Sequence, residues 1–90
     1  MVRYYVLAKG KVQGVGFRFF CTMAAKNYDL TGWVRNMENG MVEMEVQGDD
    51  CSITKYIKDI KKGNRFIRVD ELHQKKMELI PNERTFIEKY

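Results

Sequence analysis

The stretch that decides the fold is Asn39-Gly40-Met41-Val42-Glu43-Met44-Glu45-Val46-Gln47-Gly48. After the Asn-Gly pair, apolar and polar residues alternate, so that Val42, Met44 and Val46 face one way and the residues between them face the other. This period of two predicts a strand over 41–48 in a sheet with one buried face and one wet face. Because Asn-Gly tolerates positive φ, it predicts a tight hairpin turn after a preceding strand over 31–37.

On the N-terminal side of this hairpin, the sequence predicts a strand, a loop and a helix. Residues 2–9 are rich in Val, Tyr and Leu and predict a strand that ends at Gly10. Three glycines in residues 10–16 indicate a loop. Apolar residues at helical spacing over 17–28 then indicate an amphipathic helix.

On the C-terminal side, the sequence predicts a second helix and two more strands. The helix covers about 51–62, with Asp50 as its expected cap and Gly63 as its stop. An irregular strand region over 66–77 follows, and a last strand over 85–90 comes after the single proline.

The element order is strand, helix, strand, strand, helix, strand, with one more strand at the end. Two helices cannot cover both faces of so small a sheet, so we expect both on one face of an antiparallel sheet. This is an α+β fold of the open-faced sandwich type. The chain has 90 residues and no repeat or linker, so we expect residues 1–90 to form a single domain.

Composition narrows the class of protein. A hydrophobic content of 44% excludes a disordered chain, and no run of eighteen apolar residues is present to span a membrane. The N-terminus lacks the apolar stretch and cleavage site of a secretory signal, so we expect a soluble, cytoplasmic protein. The formal charge of +4 suggests an anionic partner without identifying it.

The cysteines and the histidine suggest no special chemistry. Cys21 and Cys51 have no Cys-x-x-Cys or Cys/His spacing, so we expect two free thiols in a reducing compartment rather than a disulfide. The only histidine, His73, is far from both in sequence, which makes a zinc site an unfavourable hypothesis. We expect His73 to be an ordinary strand residue and Cys21 a small core residue.

The segment that carries most chemical information is Gly10-Lys11-Val12-Gln13-Gly14-Val15-Gly16-Phe17-Arg18. Its glycines let several N–H groups point into one hollow, and the following helix adds the positive end of its dipole. Arg18 adds a permanent cation with a planar fork of donors, and the combination suits a phosphate dianion. A plain strand-to-helix turn with a solvated arginine is the alternative. The dipole disfavours an arginine at a helix N-terminus, which favours an anion between them.

A second segment, Gly32-Trp33-Val34-Arg35-Asn36, places a neutral amide near the end of the strand before the hairpin. As donor and acceptor together, the Asn36 side chain can hold a water molecule in a fixed orientation. The alternative is a polar residue beside a turn with no chemical role.

Together, the two segments resemble the two signatures of the acylphosphatase family, and Asn39-Gly40, Val42-Glu43 and Gln47-Gly48 continue the match. The resemblance covers nearly the whole chain. It implies a ferredoxin-like fold with strand order 4-1-3-2 and the last strand at an edge. It also implies hydrolysis of acyl phosphates to a carboxylate and inorganic phosphate, with no metal, cofactor or covalent intermediate.

The resemblance also implies residue roles. Arg18 would bind the phosphate oxygens, and Asn36 would orient the attacking water. The backbone amides that would bind the phosphoryl group are those of Gln13, Gly14, Val15, Gly16, Phe17 and Arg18. The expected partner is a small-molecule acyl phosphate, with no nucleic acid and no membrane, and the expected state is a monomer. The chain departs from the family pattern at Met41, often Thr, and at Lys11, often Arg.

Two other hypotheses remain at this point. The first is an RNA-binding module with a similar element order, because residues 13–20 half-match the aromatic RNP1 pattern. Against it, Val15 and Arg18 replace an aromatic and an apolar residue, and the segment follows the first strand rather than forming the third. The second is a non-catalytic phosphate-binding or maturation domain that has kept the loop.

Overall fold

The computed structural model describes all residues of the chain, Met1–Tyr90. The predicted order of elements is confirmed, and their bounds are β1 (Val2–Lys11), α1 (Phe17–Asn27), β2 (Thr31–Asn36), β3 (Val42–Gly48), α2 (Asp50–Lys62), β4 (Arg68–Met77) and β5 (Phe86–Lys89). Neither helix is long and apolar enough to cross a membrane.

The five strands form one sheet in the order β4-β1-β3-β2-β5, which confirms the expected order and the edge position of the last strand. The sheet is mixed rather than wholly antiparallel, because β5 pairs with β2 in parallel. The end of β4 and the start of β2 lie at the same end of the sheet, where Met77 pairs with Arg3 and Thr31 with Gln47. A chain that crosses this end from β4 must therefore enter β5 in the direction of β2.

Both helices pack on one face of the sheet, as expected, and the core lies between the two layers. Sixteen buried hydrophobic residues form it, including Val6, Val34 and Met44 from the strands. The Tyr56 hydroxyl of α2 donates a hydrogen bond of 3.1 Å to the Cys21 carbonyl oxygen of α1. On β3, the core side chains are those of Val42, Met44 and Val46, which the sequence pattern assigns to the buried face.

The end of β1 and the start of α2 differ from the prediction for structural reasons, and the other bounds agree with it to within two residues. β1 does not stop at Gly10 but continues to Lys11, with a bulge against β4 between Lys9 and Gly10. The bulge lets the strand keep pairing past a glycine that looked like a terminator. The cap of α2 is Asp49 rather than Asp50, since its side chain accepts from the N–H groups of the second and third residues of the helix. The region expected to be an irregular strand is the ten-residue strand β4, and the bulge falls on it, since Lys9 pairs with Glu71, Gly10 pairs with Val69, and Asp70 has no partner on β1.

The face of the sheet opposite the helices is less wet than the alternation predicts. Arg3 on β1 is completely buried there, and its guanidinium donates to Glu45 at 2.9 Å and to Glu83 at 2.7 and 3.2 Å. Gln47 exchanges hydrogen bonds with the backbone of Ile80. These bonds attach the segment between β4 and β5 to the middle of the sheet, where it covers the polar side chains.

The charges of this cluster are coupled to folding. Burial by itself would raise the pKa of the Glu83 carboxyl, but hydrogen bonds with Arg3 and Thr31 and the charge of Arg3 outweigh burial and lower it. A carboxyl with a lowered pKa stabilises the fold above its usual value of 4.5, and this contribution is lost as the pH falls through the lowered value.

We predict that Arg3→Met lowers the free energy of unfolding by about 3 kcal/mol at pH 7, because two partly buried carboxylates lose their cation. The measurement is urea unfolding at several pH values. The difference between wild type and variant should shrink as the pH falls through 4.5 toward the lowered pKa of Glu83, because a protonated Glu83 no longer needs the cation.

Lys9→Met is the matched control, because Lys9 lies on the same strand in an exposed ion pair with Glu71 at 3.5 Å. An exposed pair contributes about 0–1 kcal/mol. Equal losses of unfolding free energy in Arg3→Met and Lys9→Met would show that the buried ion pairs of Arg3 stabilise the fold no more than an exposed ion pair does.

Candidate active site

The loop between β1 and α1 carries a row of backbone N–H groups without partners. None of the amides of residues 13–19 donates a hydrogen bond to another backbone group or to a capping side chain. Gly14 and Gly16 hold φ at 74° and 80°, in the left-handed region that glycine adopts at little cost. A Cβ added at either position would meet no atom within 4 Å. The loop therefore offers both donors and open space to an anion.

The N-termini of α1 and α2 differ in whether side chains of the protein cap them. At α2, the Asp49 side chain accepts from the N–H groups of Cys51 and Ser52, and Asp50 adds a negative charge in the first turn. α1 begins after Gly16 with neither a side-chain cap nor an acidic residue in its first turn. The positive end of the α1 dipole is thus left to an external anion.

Arg18 is the second residue of α1, and the C-terminal residues hold its side chain. Its Nη1 donates to the Lys89 carbonyl oxygen at 3.0 Å, and its guanidinium carbon lies 4.5 Å from the centre of the Tyr90 ring. A guanidinium carries five N–H donors, of which this bond uses one. The rest of the fork remains for the oxygens of a ligand.

Asn36 is the last residue of β2 and pairs there with Val42 of β3. Its side-chain oxygen, Oδ1, is enclosed and accepts no hydrogen bond. An unsatisfied buried acceptor costs about 1–3 kcal/mol, so this arrangement is destabilising by itself. A water molecule that donates to Oδ1 would satisfy it.

These groups meet in one cavity of about 140 Å³, lined by Val12, Gly14, Gly16, Phe17, Arg18, Phe19, Asn36 and Glu88. A larger depression of about 510 Å³ lies beside the hairpin tip, but neither Arg18 nor Asn36 lines it. The small cavity is the candidate site because it joins the loop glycines, the guanidinium and the unsatisfied carboxamide.

A family model described as Acylphosphatase matches residues 4–87. The chain belongs to the acylphosphatase family. It is 42% identical over 86 residues to an acylphosphatase of Clostridium acetobutylicum, a match that covers 96% of this chain and 94% of that one. The acylphosphatase of Bacillus subtilis superposes with a TM-score of 0.95 at 31% identity over the full length of both chains. HypF of T. kodakarensis superposes with a TM-score of 0.87 at 33% identity, but this match covers only 12% of that longer chain.

Of the predicted site residues of this acylphosphatase family member, Gln13 and Val15 do not line the cavity. Val15 packs against the core. The Gln13 side chain donates two hydrogen bonds through Nε2, to the carbonyl oxygens of Met37 at 2.7 Å and Met41 at 2.8 Å. It thereby ties the loop to the hairpin directly after Asn36. Met41, where the family often has Thr, makes this contact through its main chain, so the departure leaves the link intact.

Sequence reasoning missed Glu88. It lies on β5 two residues after the core residue Phe86, and side chains two apart in a strand share a face. That spacing is the signal that places Glu88 on the helix side of the sheet, where it lines the cavity. Its carboxylate opposes the charge of an anion bound there.

The cysteines and the histidine lie as expected. Cys21 is a buried core residue, and burial raises the pKa of its thiol. Cys51 is exposed, and both thiols are free. His73 is an exposed residue of β4 whose Nε2 lies 3.2 Å from a Glu71 oxygen. No group of three or more His, Cys, Asp or Glu side chains is placed to hold a metal ion.

We predict that Gln13→Met, which keeps the length of the side chain but removes its donors, lowers the free energy of unfolding by about 1–3 kcal/mol. It should also speed hydrogen exchange at the Phe20 N–H, whose acceptor is the Gly16 carbonyl of the loop, and at the Met37 N–H of the hairpin, because the two segments lose their link. Urea unfolding and residue-resolved exchange measure the two effects.

The control is Asn39→Ala, which removes a hydrogen bond from the Met41 N–H to the Asn39 side chain at the hairpin tip. It should loosen the hairpin alone. If Gln13→Met left exchange of the Phe20 N–H unchanged, the proposed link between loop and hairpin would be wrong.

Proposed function

We propose that this chain hydrolyses acyl phosphates to a carboxylate and inorganic phosphate through the cavity between the 12–16 loop and Asn36. The observation that carries the proposal is the coincidence, in one small cavity, of unpaired backbone amides, a partly free guanidinium and an unsatisfied carboxamide oxygen. Family membership supports the same activity.

The amides of residues 13–18 bind the oxygens of the phosphoryl group, and Arg18 donates to them from the first turn of α1. The unpaired state of these amides supports this role, since they need no reorganisation to accept an anion. The bond from Arg18 to the Lys89 carbonyl holds the guanidinium in place before substrate arrives. Positioned donors of this kind stabilise charge as it develops on the transferring group.

Asn36 orients the attacking water by accepting one of its hydrogens at Oδ1. The water oxygen forms a bond to phosphorus as the bond from phosphorus to the acyl oxygen breaks, and the carboxylate leaves with the bonding pair. One proton of the water passes to an oxygen of the phosphoryl group, and the other stays on the oxygen that is now bound to phosphorus. A carboxylate is a good leaving group, so the reaction depends mainly on positioning and charge stabilisation.

Two finer points belong to the same proposal. We expect the protein to act as a monomer, since one chain supplies every group that the proposed reaction uses: the loop amides, Arg18 and Asn36. We place it in the cytoplasm, because an exposed free thiol at Cys51 is compatible with a reducing compartment.

The RNA-binding hypothesis loses its main support. Residues 13–16 form a loop and residues 17–20 begin α1, whereas the RNP1 aromatics of such modules stack bases from a strand. The match of residues 13–20 therefore lies on the wrong element.

We predict that Arg18→Ala lowers kcat/KM for benzoyl phosphate by about 10²–10³-fold, corresponding to about 3–4 kcal/mol of lost transition-state stabilisation. The assay contains a chelator. Lys11→Ala is the control, because it removes the same charge from an exposed position just before the loop and should leave kcat/KM within about twofold. Absence of turnover by the wild type would contradict the enzyme proposal, and salt-sensitive binding of single-stranded RNA would then favour the RNA-binding hypothesis.

We predict that Asn36→Ala abolishes most turnover and leaves the inhibition constant of inorganic phosphate close to the wild-type value. The reason is that the variant loses the water but keeps the amides and Arg18. Steady-state kinetics with phosphate as competitive inhibitor separate the two effects. A variant that lost phosphate binding but kept its turnover would show that Asn36 does not position water.

A further inference from the structure

The candidate cavity leaves little room for a bulky acyl group. Its volume is about 140 Å³, of which one water molecule takes roughly 30 Å³. If the phosphoryl group and the water occupy it, as the proposed function requires, an aryl or other bulky acyl group must extend out of the cavity. What surrounds the mouth then decides which acyl groups bind well.

Phe19 is the large apolar side chain at that position. It follows Arg18 in the first turn of α1, lines the cavity, and remains 62% exposed. It belongs neither to the hydrophobic core nor to the partly buried residues packed against the core. Its ring therefore makes little contribution to folding, although an exposed aromatic ring has a cost in water.

A second exposed ring contacts the same guanidinium. Tyr90 is 93% exposed, and its ring centre lies 4.5 Å from the guanidinium carbon of Arg18. Phe19 and Arg18 line the same cavity, so two accessible rings lie near the group that would bind phosphate. An acyl group that extends out of the cavity would contact the aromatic rings of Phe19 and Tyr90 rather than charged side chains at these positions.

We propose that Phe19 forms an apolar platform for the acyl group, so that the site selects acyl phosphates with an aryl or bulky apolar acyl group over those with a small one. This inference rests on the proposed function for the identity of the phosphoryl end. An aryl group that stacks on Phe19 removes apolar area of both partners from water and gains the preference of aromatic pairs for offset or edge contacts. An acetyl group has a single methyl to offer and gains little.

The test compares wild type, Phe19→Ala and Phe66→Ala with benzoyl phosphate and acetyl phosphate as substrates. Phe66 is the matched control because it is 60% exposed and lies before β4, outside the cavity. We expect Phe19→Ala to lower kcat/KM for benzoyl phosphate about five- to tenfold and for acetyl phosphate less than twofold. Phe66→Ala should lower neither.

A binding measurement that needs no turnover accompanies the kinetics. Calorimetric titration with phenylphosphonate and methylphosphonate measures the platform directly, since both probes keep the phosphate-like end and differ in the apolar group. Wild type should bind phenylphosphonate more tightly, and Phe19→Ala should remove about the same five- to tenfold preference.

The two measurements separate the inference from the function on which it rests. Hydrolysis of both substrates with equal losses in Phe19→Ala would overturn the platform and leave the activity standing. A Phe19-dependent preference for phenylphosphonate without hydrolysis of either substrate would keep the platform and overturn the proposed activity. Equal affinity of wild type for the two phosphonates would overturn the platform in either case.

Discussion

The site depends on one constraint of strand register: Val42 of β3 pairs with Ala8 of β1 on one side and with Asn36 of β2 on the other. Because β3 lies between the two strands, their C-terminal ends stop at the same end of the sheet. The loop that follows β1 and the carboxamide that ends β2 are therefore neighbours in space although they are far apart in sequence. A slip of one residue in the β2–β3 pairing would turn Asn36 to the other face of the sheet and separate it from the loop.

The candidate site lacks stabilising interactions that the rest of the fold has, namely a helix cap, a favourable charge at a helix end and a partner for a buried acceptor. α2 is capped by Asp49 and carries a favourable acidic residue in its first turn. α1 has no cap, carries a cation where its dipole favours an anion, and faces an unsatisfied acceptor on Asn36. A bound phosphate and a water would satisfy all three groups at once, which gives a physical reason for local choices that are unfavourable by themselves.

Local patterns in the sequence were sufficient for most of the fold. The alternation in 41–48 and the helical spacing in 17–28 depend on neighbours in sequence, so they predicted the elements. The expectation that Arg18 and Asn36 act together came from the resemblance of the two motifs to a family, and the structure brings both residues to one cavity. What was missed depends on contacts distant in sequence. The bulge that carries β1 past Gly10 needs β4 as a partner, and the side-chain bonds of Gln13 need the hairpin. The burial of Arg3 depends on a segment eighty residues away.

The ionic cluster on one face of the sheet and the cavity on the other are connected through the C-terminal strand. Arg3 binds Glu83 and so fixes the segment that leads into β5. β5 then pairs in parallel with β2, and its last residue, Lys89, accepts the hydrogen bond of Arg18. β5 therefore orients the Arg18 guanidinium, and the position of β5 itself depends on the ionic cluster on the opposite face of the sheet. Since helix propensity alone leaves a long arginine side chain free to choose among rotamers, this chain of contacts is what converts Arg18 from a mobile surface cation into a positioned donor.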